Sequence, residues 1–255
     1  MSDLLEDFLI GLASANDPAS LHTLLSAFSQ TIGFSHFALI THEDLRICRR
    51  GQINIRNYPE AIVERIIANA FFRRDPIIRG ALFADSAFLW SRISDIIRLD
   101  KKDRASLELG CRHGLTEGVT VPCHKFGSAF GSCTFAGKID CERAERSRAI
   151  LQAAAIFAFQ RARQIAGDRA APYAALPRLN PRPRDCVVLA GRGQTNKQIA
   201  RTLGLAPRTV DGYLADARRI LGAADRTEMV VAAVLDGQIG LEEINHRQSP
   251  SFALG

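Results

Sequence analysis

The stretch that decides the fold of this chain is TNKQIARTLGLAPRTV, residues 195–210. Its apolar residues recur at the spacing of an amphipathic helix, stop at Gly204, and resume beyond it. Ala200 supplies a small residue where the first helix would cross the second. Two helices joined by a glycine turn form a helix-turn-helix, whose second helix fits the major groove of DNA. The bland alternative is a helical hairpin that serves packing alone.

Further helices flank this motif. Helical spacing and glycine stops predict four short helices at 184–190, 196–203, 208–221 and 226–235. Upstream, Pro172, Pro177, Pro181 and Pro183 crowd a stretch with weak hydrophobic periodicity, which is typical of a linker. We therefore expect an N-terminal domain over 1–166, a linker over 167–177, a helix-turn-helix domain over 178–240 and a tail over 241–255.

The positive charge of the chain lies in the same C-terminal part. The 255 residues include 33 Lys and Arg against 27 Asp and Glu, a net charge of +6. Residues 178–226 hold ten basic and four acidic residues, a surplus of six, so the rest of the chain is neutral. Basic residues around a helix-turn-helix are candidate phosphate contacts. The candidate DNA-binding residues are Thr195, Asn196, Lys197, Arg208, Thr209, Asp211, Tyr213, Arg218 and Arg219.

The base-reading face of the second helix is unusual. It offers Asp211, Gly212 and Ala215 rather than the Arg or Asn that make bidentate base contacts. Arg208 and Thr209 are expected to position the helix. Asp211, if it reaches a base, would accept from a cytosine amino group.

The N-terminal domain mixes helices and strands. Spacing predicts two opening amphipathic helices, then strands at 36–41, 118–122 and 129–136. Helices are expected at 59–72 and 99–109, and a long Ala-rich helix at 142–165. The predicted fold class is therefore α+β: an α-β-α sandwich with an antiparallel sheet, linked to a small all-α domain of four helices.

Both domains resemble parts of one known family. The run 193–222, with Arg226, resembles the DNA-binding domain of LuxR-type transcription regulators. Asn57-Tyr58-Pro59, Asp75-Pro76-Ile77-Ile78, Phe88-Leu89-Trp90 and the stretch 115–119 stand in the order and spacing of the LuxR autoinducer-binding domain. The resemblance implies a quorum-sensing regulator that binds an acyl-homoserine lactone or related signal and, as a homodimer, double-stranded operator DNA. RNA polymerase is a further candidate partner.

The resemblance also implies roles in the ligand pocket. Trp90 would donate its indole N–H to the lactone carbonyl, and Asp75 would accept from the ligand amide. Tyr58 and Thr134 would donate to the acyl carbonyl. Ile62 and Ile66 stand where the family typically has tryptophan and tyrosine, which predicts a more aliphatic pocket and either an altered acyl group or a ligand outside the homoserine-lactone class. Judged without the family, a sole tryptophan such as Trp90 usually belongs to a core, and an Asp before Pro, such as Asp75, is usually a turn or helix cap.

Other functions remain as alternatives. The N-terminal domain could be a ligand-independent module for dimerisation or protein docking. The long helix, through Leu151, Ala154, Ala155, Ala158 and Ala162, is a candidate dimer interface, unless it packs on its own sheet. An enzyme is not expected, because Cys123 and His124, as neighbours on a strand, would point to opposite faces.

Several features of the sequence limit the chemistry and the cellular location that can be expected of the protein. No catalytic residues, metal site or cofactor other than the signal are expected, and the cysteines are interpreted as small hydrophobic residues. The acidic start lacks the basic and apolar regions of a signal peptide, and no apolar stretch approaches the roughly 20 residues of a membrane span. We therefore expect a cytoplasmic protein without a membrane partner.

Overall fold

A computed structural model of the chain describes residues 2–42, 51–68, 74–124, 130–167 and 178–245. Its contacts separate two units, Met1–Arg169 and Ala170–Gly255. None of the helices in these described ranges is long and apolar enough to cross a membrane.

An antiparallel sheet forms the middle layer of the N-terminal unit. The strands found in the described ranges are β1 (His36–Thr41), β2 (Asn54–Arg56), β3 (Phe88–Leu89), β4 (Glu117–Cys123) and β5 (Gly131–Gly137). Their order across the sheet is β2-β1-β5-β4-β3. The register places Ile40 opposite Ser132, and Thr120 opposite Thr134. Because β1, β5 and β4 pair along their lengths, side chains distant in sequence share one face.

The two faces of the sheet carry different side chains, because successive residues of a strand point to opposite sides. One face packs in the main core against α1 (Ser2–Ser14), α2 (Pro18–Ile32) and α6 (Cys141–Ile165); its buried strand residues include Phe37, Leu39, Val119, Val121 and Phe135. The other face lies towards α3 (Glu60–Ala68), α4 (Pro76–Phe83), a 3-10 helix (Trp90–Asp95) and α5 (Lys101–Arg112). The sheet thus lies between two helical layers, and the predicted fold class is confirmed.

Several helix starts follow from capping residues in the sequence. The Asp17 carboxylate accepts from the Ser20 N–H at 2.8 Å at the start of α2. Asp100 and Asp140 accept at 2.8 Å from backbone amides in the first turns of α5 and α6. Each bond satisfies a backbone donor that a helix leaves unpaired at its first turn. At the other end of α2, Gly33 adopts φ 105°, a left-handed conformation that glycine reaches without strain, and leads into β1.

The helix α6 packs against its own sheet. Leu151, Ala154, Ala155, Ala158 and Ala162 are all buried in the main core. Of the two alternatives for these residues, the structure shows the second: they pack on the sheet of their own unit, and their spacing brings the helix close to it. The exposed large apolar side chains of α6 are Ile156 and Phe157, 44% and 47% exposed.

The C-terminal unit is all-α. Its helices in the described range are α7 (Pro181–Gly191), α8 (Asn196–Leu203), α9 (Pro207–Leu221), α10 (Arg226–Leu235) and α11 (Leu241–Ile244). Ile199, Val210 and Leu214 are buried where α8 and α9 meet. Gly204, at φ 65°, ends α8, so the turn has the predicted form. The short α11, within the stretch expected to be a tail, packs on α7, where Arg184 and Glu243 form an ion pair at 2.6 Å.

Candidate ligand cavity and nucleic-acid interface

A cavity of about 110 Å³ lies between the sheet and the layer formed by α3, α4, α5 and the 3-10 helix. Much of its wall is aliphatic: Ala38, Ile40, Ile62, Val63, Ile77, Ile78, Leu107, Leu109 and Leu115. A few polar side chains interrupt this wall, among them Tyr58, Asp75, Trp90 and Thr134. An apolar cavity with a few fixed polar groups is typical of a site for a small uncharged molecule.

Trp90 and Thr134 belong to one chain of hydrogen bonds. The indole N–H of Trp90 donates to Thr120 Oγ1 at 2.9 Å, and Thr120 Oγ1 lies 3.0 Å from Thr134 Oγ1. Thr120 is fully buried and was not among the expected site residues. Its alternation within β4 could have indicated it, because it lies on the same face as Thr134. The tryptophan therefore lines the cavity with its polar group already engaged.

Asp75 has two roles in the structure. It caps α4, because its Oδ1 accepts from the N–H groups of Ile77 at 2.9 Å and Ile78 at 3.1 Å. It also lines the cavity. Burial raises the pKa of Asp75, against the opposing effects of these two amides and the Arg65 guanidinium. The cap bonds engage one carboxylate oxygen, Oδ1.

Tyr58 lies on the connection from β2 into α3, and Ile62 lies in the first turn of α3. Burial, reinforced by Asp75 and the Cys133 thiol, raises the pKa of Tyr58 well above its ordinary value. The phenol is thus a neutral hydrogen-bonding group in the cavity wall. Ile62 packs with Leu115 against the sheet. The side chain of Ile66 lies outside the described residues.

Further polar residues of the wall were not predicted: His42, Asn54, Arg56, Arg65, Ser106 and Ser132. His42 Nε2 lies 2.9 Å from Ser132 Oγ, and the ring centroid lies 4.8 Å from that of Phe130. The signal in the sequence is positional. His42 follows Ala38 and Ile40 at intervals of two, so it shares their face of the sheet.

The helix-turn-helix begins with a capping box. The Thr195 hydroxyl accepts from the Gln198 N–H at 3.4 Å, and Gln198 Oε1 accepts from the Thr195 N–H at 2.8 Å. The basic residues predicted to bind DNA, Lys197, Arg208, Arg218 and Arg219, are exposed, as is Thr209. Tyr213 is half-buried and packs against the core. Three of these cations therefore lie on α9, the second helix of the motif, and Lys197 lies on α8.

Asp211 is tied to the neighbouring helices. The Asn196 side-chain amide donates to Asp211 Oδ1, and Arg226 Nη1 donates to Asn196 Oδ1 at 2.8 Å. Arg226 Nη2 also donates to the Gln194 carbonyl at 2.5 Å. This network of Asp211, Asn196 and Arg226 joins the starts of α8, α9 and α10. The Arg226 contribution was not anticipated.

A sheet unit with an internal cavity and a helix-turn-helix with exposed cations define the class of ligand-responsive DNA-binding regulators. The family model of the autoinducer binding domain matches residues 17–162, and that of the bacterial regulatory proteins of the luxR family matches residues 178–233. The chain belongs to the LuxR family. It is a transcription regulator of the quorum-sensing type, in a family of regulators rather than enzymes.

Relatives are similar over much of the chain. The transcriptional activator protein AhyR of Aeromonas hydrophila is 25% identical over 241 residues, 92% of each protein. The quorum sensing-dependent regulator RpaR of Rhodopseudomonas palustris is 28% identical over 186 residues, 72% of this chain and 74% of RpaR.

Solved structures of SdiA share the fold. Escherichia coli SdiA matches with a TM-score of 0.58 at 18% identity, covering 92% of this chain and 98% of SdiA. SdiA in complex with octanoyl-rac-glycerol matches with a TM-score of 0.53 at 17% identity, covering 91% and 93%.

Proposed function

We propose that the cavity binds an acyl-homoserine lactone, and that its occupancy controls binding of operator DNA by a homodimer. The observation that carries the proposal is the convergence of Tyr58, Asp75, Trp90 and Thr134 on one largely aliphatic cavity. An amide and a lactone are uncharged polar groups, and each needs a fixed partner when buried, because an unpaired polar group costs about 1–3 kcal/mol. The aliphatic wall, to which Ile62 contributes, suits an acyl chain.

The roles of these side chains follow from their hydrogen bonds. The ligand amide would donate to Asp75, whose cap bonds leave Oδ2 as the second acceptor. The acyl carbonyl would accept from Tyr58 and Thr134. The lactone carbonyl would accept from Trp90 after displacing Thr120 as the partner of the indole N–H. Ile66, one helical turn after Ile62, would extend the aliphatic wall.

The test uses the only tryptophan in the chain, Trp90, whose fluorescence reports on the cavity. Purified protein is titrated with homoserine lactones whose acyl chains range from four to twelve carbons. We expect a saturable fluorescence change and a rise in melting temperature, since ligand at about 100 times its Kd stabilises the folded state by ~2.7 kcal/mol. Tyr58→Phe should weaken binding with little effect on the unliganded melting temperature. If no homoserine lactone shifts the melting temperature, the assignment fails.

A second function has a specific observation in its favour. Trp90 and Asp75 already have partners within the protein, so the N-terminal unit satisfies these groups by itself. A ligand-independent dimerisation or docking module would have this property. Purified protein that lacks a bound small molecule, resists every lactone, and still binds DNA would establish this second function instead.

On DNA, we propose that Lys197, Arg208, Arg218 and Arg219 contact phosphates. Thr195, Thr209 and Tyr213 would add hydroxyl contacts that position α9. Because Asn196 donates to Asp211, we assign Asp211 first to positioning α9 against α8, with a cytosine contact as its added role. Action on chromosomal DNA implies a cytoplasmic location, and RNA polymerase is the partner through which transcription would respond.

The DNA roles are tested on a fragment selected from a random pool and on its scrambled version. Arg218→Ala should weaken binding to both and reduce the slope of log K against log salt by about one. Arg182→Ala, which removes an exposed charge on α7, is the control and should change binding less. Asp211→Ala should weaken binding to the selected fragment more than binding to the scrambled one. Asp211→Asn, which keeps an acceptor for Asn196, should retain much of the affinity that Asp211→Ala loses. Equal binding of Asp211→Ala and wild type to both fragments would contradict its role.

The homodimer is proposed because one helix-turn-helix makes few contacts, and such proteins commonly bind two half-sites. The exposed Ile156 and Phe157 on α6 are the candidate contact. Phe157→Glu should shift the protein towards monomer in sedimentation velocity, whereas Arg146→Gln, at an exposed residue about three turns away on α6 and with the same change in net charge, should not. Ligand would strengthen the dimer by completing the core of the N-terminal unit.

A further inference from the structure

His42 and Ser132 form a second group of polar side chains in the cavity wall, separate from the group of Tyr58, Asp75, Trp90 and Thr134. Ser132 lies two residues from Thr134 on the same face of β5, which is about 7 Å along an extended strand. His42 extends the β1–β5 pairing by a further step, because its backbone N–H donates to the Phe130 carbonyl at 2.7 Å. The cavity therefore has hydrogen-bonding groups at two places along the sheet, with the aliphatic side chain of Ile40 nearby.

One atom of this pair lacks a partner. His42 Nε2 is bonded to Ser132 Oγ, but the buried Nδ1 has no hydrogen-bond partner within the described part of the chain. Either tautomer leaves the same problem. If Ser132 donates to Nε2, Nδ1 carries an unmatched N–H; if Nε2 donates, Nδ1 is an unmatched acceptor. A buried polar atom without a partner is costly, so a complementary group on a bound molecule would be favoured there.

The imidazole remains neutral under ordinary conditions. Burial lowers the pKa of His42 to about 3, and the nearby His124 acts in the same direction. The ring therefore does not attract an anion at neutral pH. It fits a neutral group that donates or accepts as the tautomer requires, and a hydroxyl does both.

We propose that His42 and Ser132 select a signal whose acyl group carries a hydroxyl at the end remote from the lactone. This inference rests on the proposed lactone-binding function, because it takes the lactone and amide to lie at Trp90 and Asp75. The acyl chain then runs along Ile40 towards His42. A purely aliphatic chain would fill the same space but leave Nδ1 without a partner.

The experiment compares matched probes. Homoserine lactones with ω-hydroxyacyl chains of four to ten carbons are each paired with the analogue in which a methyl replaces the hydroxyl. At the chain length that reaches His42, we expect the hydroxyl to tighten binding about tenfold, the effect of one neutral hydrogen bond. His42→Phe and Ser132→Ala should remove this preference. Ile40→Val, a control on the same face, should change the affinity for both members of a pair equally and keep their ratio.

The outcomes separate the two proposals. If both members of every pair bind equally, or the methyl analogue binds more tightly throughout, His42 has no such role while lactone binding stands. Tighter binding of ω-carboxyacyl probes would overturn the assignment in favour of an anion site at Arg56. If no probe binds, the lactone-binding function fails, and this inference fails with it. If His42→Phe fails to fold, Ser132→Ala alone tests the loss of the preference, and His42→Gln, which keeps hydrogen-bonding groups, should retain part of it.

Discussion

Replacing Gly118 by alanine tests whether the position of Trp90 builds the cavity. Gly118 lies in β4, opposite Ala136 of β5. A Cβ at this position would lie 2.7 Å from Trp90 Cε2, 2.9 Å from Cδ2 and 3.0 Å from the Phe135 carbonyl oxygen. The carbonyl belongs to the central strand and cannot retreat easily, so the indole must move.

The size of the effect follows from these distances. Carbon atoms in contact lie about 3.5–4.0 Å apart, so the indole must retreat by roughly 1 Å. Its hydrogen bond to Thr120, now 2.9 Å, would then exceed the normal range of about 2.7–3.2 Å. Overpacking of this kind costs ~1–3 kcal/mol, which corresponds to a fall in melting temperature of about 2–12 °C for a unit of this size. We expect lactone affinity to fall about tenfold with the misplaced N–H.

Urea unfolding, lactone titration and the emission of Trp90 measure these effects on one sample. Gly110→Ala is the matched control, because Gly110 also lines the cavity but a Cβ there meets its nearest atoms at 3.8 Å. Its position in α5 predicts unchanged stability or a gain of ~0.5–1 kcal/mol. The reasoning is refuted if Gly118→Ala leaves the emission, the stability and the lactone affinity unchanged, or if Gly110→Ala does equal harm.

Three further predictions concern single residues. Asp75→Asn should raise the free energy of unfolding at pH 7, because burial disfavours the carboxylate while asparagine still caps α4. The same substitution should weaken lactone binding. Equal lactone affinity of variant and wild type would contradict the role of Asp75. His42 has a lowered pKa, so its contribution to stability is complete above pH 6.5 and is lost as pH falls towards 3, with a slope of about 1.4 kcal/mol per pH unit. The free energy of unfolding, measured in urea at several pH values, should therefore fall more steeply for wild type than for His42→Phe. An equal dependence on pH in the two proteins would contradict this role of His42. Gly212→Ala should stabilise the C-terminal unit by ~0.5–1 kcal/mol in thermal unfolding, because the new methyl meets open space on α9; a lower melting temperature would oppose this.

Elements defined by local signals could be predicted from the sequence. The predicted and observed bounds of α8 agree, because Thr195 and Gln198 cap its start and Gly204 ends it within one short stretch. The strands β2 and β3 were missed because two or three residues are too few to show a period, and pairing with distant strands defines them. The short α4 was missed because a nearly continuous apolar run does not show helical spacing. The expected helix at 59–72 is seen at Glu60–Ala68, and residues 69–73 lie outside the described ranges.

In the candidate site, too, the features with a local signal could be predicted and those that depend on distant residues could not. The family resemblance indicated Trp90 and Asp75. The partners of Asp75 are backbone amides two and three residues away, but Thr120 meets the indole of Trp90 only because β3 pairs with β4. The alanines of α6 could not be assigned from the sequence, because small residues at helical spacing are equally suited to a close partner helix and to a close sheet. The hydrogen bond between Asn196 and Asp211 was not predicted, because the two residues lie 15 positions apart in the sequence.

If the signal binds Asp75 as proposed, the double role of this residue would link occupancy of the cavity to the rigidity of α4. The same carboxylate that holds the first turn of α4 also lines the cavity, while Leu82 and Phe83 at the far end of α4 are 51% and 73% exposed. A signal bound to the carboxylate would restrain that turn and slow the opening of the helix that follows. Amide hydrogen exchange along α4 would then report on the signal from outside the cavity, and an exposed apolar surface would become stiffer or looser with its concentration.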